Sequence, residues 1–157
     1  FTSKCTEAGV DGLIIVDLQP DEDSELYIKT KEKNIDLIRL ITPTTDENRL
    51  KTILDNASGF LYYVTITGIT GQNSANIEQL RKSIETIKLS TKLPIVAGFG
   101  IKNRRDVEQI SAFTDGVVVG SSIVKIIKNN LSDKNKMISE IDLFTKDLKK
   151  GITQWIG

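Results

Sequence analysis

Gly116-Val117-Val118-Val119-Gly120-Ser121-Ser122-Ile123-Val124-Lys125-Ile126-Ile127 joins a short β-branched run to a Gly-Ser turn and then, with no spacer, to a helical stretch. The run lacks strict polar alternation, so it reads as a strand buried on both faces. The turn after it sets free backbone N–H groups and the positive end of a helix dipole above the strand's carboxyl end. Runs of the same kind occupy residues 12–18, 35–41, 60–66 and 93–97, with 116–119 the last of the series. Helical patterns lie between them. Ile77, Leu80, Ile84 and Ile87 share one face of a helix over 74–90, and Met137, Ile138, Ile141, Phe144 and Leu148 do so after Ser132, the expected N-cap. Shorter helices fit 21–33, 46–56 and 103–112. The β-α-β-α order requires parallel strands with crossover helices.

Two architectures use such units. A doubly wound sheet is complete at about this length, whereas a (β/α)8 barrel takes about 250 residues and is only partly represented by units of this number. Length favours the first, and the Gly-rich turns favour the second. No Pro/Gly/Ser-rich linker divides the chain, so residues 1–157 read as one domain.

Composition removes whole classes of chemistry. The 21 basic and 21 acidic side chains cancel, which leaves none of the electrostatic reach of a nucleic-acid or acidic-membrane binder. There is no histidine, so Ser-His-Asp and Cys-His catalysis and histidine-ligated metals are excluded. The lone Cys5 forbids an internal disulfide or a thiolate zinc cluster and suits a reducing compartment, the cytoplasm. No apolar run approaches the roughly 20 residues that span a bilayer. A first residue that is Phe1 and not Met suggests a piece of something longer.

In either architecture ligands bind beyond the carboxyl ends of the strands. The segments there are Asp17-Leu18-Gln19-Pro20, Thr42-Pro43-Thr44-Thr45, Thr67-Gly68-Ile69-Thr70-Gly71, Gly98-Phe99-Gly100 and Gly120-Ser121-Ser122. A Gly loop after one strand, then a Gly-Ser turn opening a short helix after the next, is the arrangement of a barrel phosphate site. Each glycine alone is better explained by a tight turn; their combination favours an anion. Residues 67–76 suit a lid or an ordinary surface loop. Asp17 ends a strand and is a candidate acid or base, or a cap for the next helix. Of the adjacent Tyr62 and Tyr63, one ring should face the interior and the other the helices. Phe99 sits over the mouth of the site or packs in the core. Arg39, in an otherwise apolar strand, should reach a carboxylate or solvent, and no function attaches to it. Trp155 packs back or frays.

These residues, in this order, resemble the tryptophan synthase alpha subunit family. The most specific stretches are Tyr62 through Thr67-Gly68-Ile69-Thr70-Gly71, Gly98-Phe99-Gly100-Ile101, and Val119-Gly120-Ser121-Ser122-Ile123-Val124-Lys125-Ile126-Ile127. The resemblance implies an α/β fold: a partial (β/α)8 TIM barrel holding strands four to eight with outer helices. It further implies a lyase that cleaves indole-3-glycerol phosphate, by a retro-aldol reaction, to indole and glyceraldehyde 3-phosphate. Gly71, Gly98, Gly100, Gly120 and Ser121 would hold the phosphate. Tyr62 and Phe99, supported by Ile14, Leu40 and Val118, would line the indole pocket, and Thr70 would sit on the closing loop. No metal or cofactor is implied, because the pyridoxal phosphate of the family complex belongs to the beta subunit, the expected partner.

The family's catalytic glutamate and aspartate come from the second strand and the loop after it, a region expected before Phe1. Asp17 matches neither. Gln19 stands where the family usually has proline, and Ile66 where some members carry arginine. Two further readings compete with a lyase subunit seen in part. One is a non-catalytic phosphate-binding half-barrel or association module. The other, a sugar-phosphate isomerase-like barrel, is weakened by the Tyr62-to-Gly71 match. An amino-terminal segment of about 90 to 110 residues, the size of three barrel units, would separate the first two.

Overall fold

The alternation of helix and strand becomes, in the computed structural model, a five-stranded parallel sheet in the order β1-β2-β3-β4-β5. The structure describes residues 1–64 and 74–152. The strands are β1 (Gly12–Ile14), β2 (Asp36–Ile41), β3 (Leu61–Val64), β4 (Ile95–Gly98) and β5 (Gly116–Val118). The helices are α1 (Thr2–Glu7), α2 (Ser24–Glu32), α3 (Glu47–Asp55), α4 (Ser74–Lys88), α5 (Arg104–Ser111), α6 (Ser121–Asn129) and α7 (Lys134–Lys149).

Register assigns the two faces of the sheet. Ile41, Tyr63 and Ala97 stand opposite one another along one face. They are buried with Leu50 and Ile53 of α3, Ile84 of α4, Ile110 of α5 and Leu148 of α7 in a common cluster. Leu40, Tyr62 and Val96 line up on the other face, where Gly98 is opposite Val118. There Leu40, Tyr62, Val96 and Val118 are only half-buried, and Ile14 at the sheet edge is 45% exposed. A doubly wound sheet reverses its strand order and carries helices on both faces; a barrel does neither. The unbroken order and the one-sided helical cluster are those of a barrel segment.

Several boundaries differ from those expected. The apolar run 12–18 pairs only over Gly12–Ile14, since its ladder with β2 ends at Ile38, and Val16 is exposed. The helix expected over 21–33 is broken into a 3-10 turn, Pro20–Glu22, and α2. The break falls at Asp23, which is buried and paired with Arg39. α7 is capped by Asp133, not Ser132: its carboxylate accepts the Lys136 N–H at 3.0 Å. α1 carried no recognisable stripe in the sequence. Trp155 lies outside the described residues.

Arg39 occupies a helix-facing position, opposite Leu61. Its guanidinium and the Asp23 carboxylate form an ion pair in which both side chains are buried. Burial lowers the Arg39 pKa from its ordinary value, because desolvation penalises the charged form.

Candidate functional site

Parallel strands place every carboxyl end on one rim, and the two most informative turns are neighbours there. Gly98 and Val118 are opposite each other at the ends of β4 and β5. The chain then turns through Gly98-Phe99-Gly100-Ile101 on one side and Val119-Gly120-Ser121-Ser122 on the other.

The first turn is held from below and from the side. Phe99 and Ile101 are buried members of the main cluster. Between them Gly100 is exposed with φ +64°, a left-handed conformation that glycine adopts without strain. Beyond them the Asp106 carboxylate accepts the N–H of Lys102 at 2.7 Å and of Asn103 at 3.2 Å. Asn103 returns the contact by accepting the Asp106 N–H at 3.1 Å, completing a capping box at the start of α5.

The second turn opens α6 without a side-chain cap, unlike α3, α5 and α7. The carbonyl of Gly120 accepts from Ile123 and Val124 at 3.0 and 3.1 Å. The N–H groups of Ser121 and Ser122 lie in the first turn, where no helical acceptor exists. Gly120 and Ser121 are exposed there, at the positive end of the helix dipole. The Ser122 hydroxyl donates to the Ile101 carbonyl at 2.6 Å, which links the two turns.

The glycines of this rim differ in what they do. A Cβ on Gly100 or Gly120 would meet nothing within 4 Å among the described residues. Among the described residues nothing fills the space in front of either, as an anion cradle requires. A Cβ on Gly98 would come within 2.7 Å of the Tyr62 hydroxyl and 2.9 Å of its ring. Gly98 thus gives Tyr62 room to lie across β4. The other expected pocket residues divide in the same way. Ile14, Leu40, Tyr62 and Val118 share the half-buried face of the sheet, whereas Phe99 belongs to the helix-side cluster. Phe99 is 7% exposed, which accords with a packing role beneath the turn. Gly71 and Thr70 lie outside the described residues. Asp17 is exposed beyond β1. Gln19 accepts a hydrogen bond from Arg49 of α3, fixing the turn after β1 by a contact that proline at that position lacks.

Among the described residues no group of His, Cys, Asp or Glu is arranged to hold a metal ion. None of the described helices is long and apolar enough to cross a membrane. A cleft of about 750 Å³ opens at the opposite rim, lined by Lys88, Lys92, Asp115 and Gly116 among others. They surround the amino ends of β4 and β5, the end of a barrel associated with stability and not catalysis. Asp115 illustrates the role: it accepts the Ile95 N–H at 2.8 Å and pairs with Lys88 at 3.1 Å.

Fold and rim together define a barrel-type βα segment with a glycine-rich pair of turns after its last two strands. The sequence profile of the tryptophan synthase alpha chain family matches residues 1–153, and the chain belongs to that family. The tryptophan synthase alpha chain of Zymomonas mobilis is 42% identical over 153 residues, which are 98% of this chain and 56% of that one. That of Methanocaldococcus jannaschii is 44% identical over 144 residues, 92% of this chain and 51% of that one. A crystal structure of the Legionella pneumophila alpha chain superposes with a TM-score of 0.83 at 30% identity, covering 96% of this chain and 55% of that one. A structure of the α2β2 tryptophan synthase complex of Pyrococcus furiosus superposes with a TM-score of 0.79 at 28% identity, covering 96% of this chain and 58% of that one. The chain thus spans about half the length of the curated relatives it matches. Its five parallel strands correspond to part of their barrel.

Proposed function

We propose that residues 1–157 form, as one domain, the substrate-holding part of an alpha-type lyase: strands four to eight of the barrel, carrying the phosphate site and part of the indole pocket. The observation that carries this reading is the pairing of the open Gly100 turn with the uncapped start of α6 on one rim. The phosphate of indole-3-glycerol phosphate would accept from the N–H and hydroxyl of Ser121 and from the N–H groups at Gly100 and Gly120, with Gly98 and Gly71 completing the cradle. The indole ring would lie against Tyr62, Leu40, Val118 and Ile14, with Phe99 supporting from beneath and Thr70 on the closing loop.

Cleavage of the side chain requires a proton added to the indole ring and another removed from the substrate hydroxyl as the carbon–carbon bond breaks. An acid and a base positioned for this contribute typically about 10² to 10⁴-fold each. We assign both carboxylates to the family's second unit, outside residues 1–157, so this chain holds the substrate and the complementary units perform the proton transfers. No cofactor enters the reading. The pyridoxal phosphate of tryptophan synthase belongs to the beta subunit, and that subunit is the partner proposed here, in the cytoplasm.

The test is calorimetric titration with glycerol 3-phosphate. Saturable binding by the 157-residue chain, lost in Gly120→Val, supports the reading, and unchanged affinity in that variant overturns it. One observation favours a second reading, an association module. The uncovered sheet face exposes 45% of Ile14, and Val16 beyond it is 68% exposed. Phosphate-independent oligomers in sedimentation, with no glycerol 3-phosphate binding, would favour that alternative.

A further inference from the structure

We propose that Ser122 is a positioning residue for the phosphate rim: its hydroxyl clasps the turn after β4 to the start of α6 and so fixes the separation of the two sets of N–H donors. The inference rests on the phosphate reading and adds a side chain that reaches the ligand only through its neighbours. β4 and β5 are paired as far as Gly98 and Val118, and past that point the chains diverge into separate turns. The first turn is secured toward the helix layer by Phe99 and Ile101, and toward α5 by Asp106. Neither attachment fixes it relative to α6. The bond from Ser122 Oγ to the Ile101 carbonyl does, at 2.6 Å.

The position of this bond matters more than its strength. Ile101 directly follows Gly100, whose left-handed backbone is exposed to the rim. Ser122 contributes its own N–H to the first turn of α6, beside Ser121. One hydroxyl therefore ties a residue adjacent to one set of donors to a member of the other. An anion bridging both sets depends on their spacing, and donors held in place before binding need not be ordered by the ligand. Because the Ser122 hydroxyl is used inward, Ser121 is left as the side-chain donor facing the ligand.

Wild type, Ser122→Ala and Ser122→Thr are compared by glycerol 3-phosphate titration and by amide hydrogen exchange over residues 99–102. Ser122→Ala is expected to weaken binding about three- to tenfold, the range of one neutral hydrogen bond. Exchange at Gly100 and Ile101 should accelerate while protection in β3 and α4 stays as in wild type. Ser122→Thr, which keeps a hydroxyl, should restore both. Wild-type affinity in Ser122→Ala overturns the positioning role and leaves the phosphate site standing. Loss of protection throughout the sheet together with affinity shows a purely structural residue and also overturns it. Absence of glycerol 3-phosphate binding in the wild type removes the site itself, and the positioning role with it.

Discussion

Asp23 and Arg39 form a buried ion pair whose two ends come from different kinds of structure, the residue before α2 and a helix-facing position of β2. Removing one partner strands the other charge out of water, so Asp23→Ala should cost about 3–5 kcal/mol in urea unfolding. The double replacement Asp23→Leu, Arg39→Met removes both charges at once and should recover most of that loss. Arg39 stood out in the sequence as a charge within an apolar strand, and a carboxylate partner was one of two expected outcomes. Which carboxylate was not legible, since Asp23 falls inside the helix expected over 21–33 and nothing in that pattern marks it for burial against β2. The rim glycines allow a sharper contrast. Gly98→Ala meets the Tyr62 ring and should destabilise by about 1–3 kcal/mol, as overpacking does. Gly120→Ala meets open space and should leave stability nearly unchanged while weakening glycerol 3-phosphate binding. Sequence grouped these glycines together because it shows where backbone freedom is needed and not which neighbour needs the room. Ser121→Ala, in turn, should cost about 1 kcal/mol of binding or somewhat more, one charge-assisted hydrogen bond.

Among the elements, β4, α5 and the turn between them show how local signals were read and where they stopped. The helix expected over 103–112 forms as α5, begun by a capping box between Asn103 and Asp106. The Asp106 carboxylate, 3% exposed, also accepts the Lys102 N–H and so anchors the end of the rim turn, a longer reach than a helix-start pattern conveys. Asn103→Ala should therefore lower stability by about 1 kcal/mol, measured by chemical unfolding. Asp106→Ala should do more, about 1–3 kcal/mol, because two backbone donors lose their acceptor, and it should weaken glycerol 3-phosphate binding as well. β1 shows the opposite case. Its apolar run is long enough to suggest a strand over 12–18, but the ladder stops at Ile14 opposite Ile38 although β2 itself continues to Ile41. The strand ends where the chain leaves its neighbour, a point that apolar patterning does not mark.

At the scale of the molecule, the sheet has a fully packed side and, among the described residues, a half-buried one. Helices bury Leu61, Tyr63, Ile95 and Ala97 almost completely, while Leu40, Tyr62, Val96 and Val118 on the reverse are half-buried. Parallel strands usually have both faces covered, so an apolar second face with only partial cover is unusual for an isolated chain. The edges add to this. Among the described residues β1 pairs only with β2, and β5 only with β4, so both outer strands present a sheet edge. The 157-residue chain by itself should therefore self-associate, with a sedimentation coefficient that rises with concentration. In a closed barrel the same face is interior and the same edges are paired, so the complementary amino-terminal units of a relative should relieve both conditions at once. Co-expressed with such a segment, the chain should become concentration-independent in sedimentation and release indole from indole-3-glycerol phosphate. Alone it should release none, since the two proton-transferring carboxylates assigned to the other units are each typically worth about 10² to 10⁴-fold. The decisive control is Asp17→Asn. Turnover by the chain alone that disappears in this variant would place the catalytic acid or base beyond β1, and the division of labour proposed here would be wrong. Turnover that needs the added segment and survives Asp17→Asn would establish it, because the exposed Asp17 would then be a bystander on a rim whose task is to hold the phosphate.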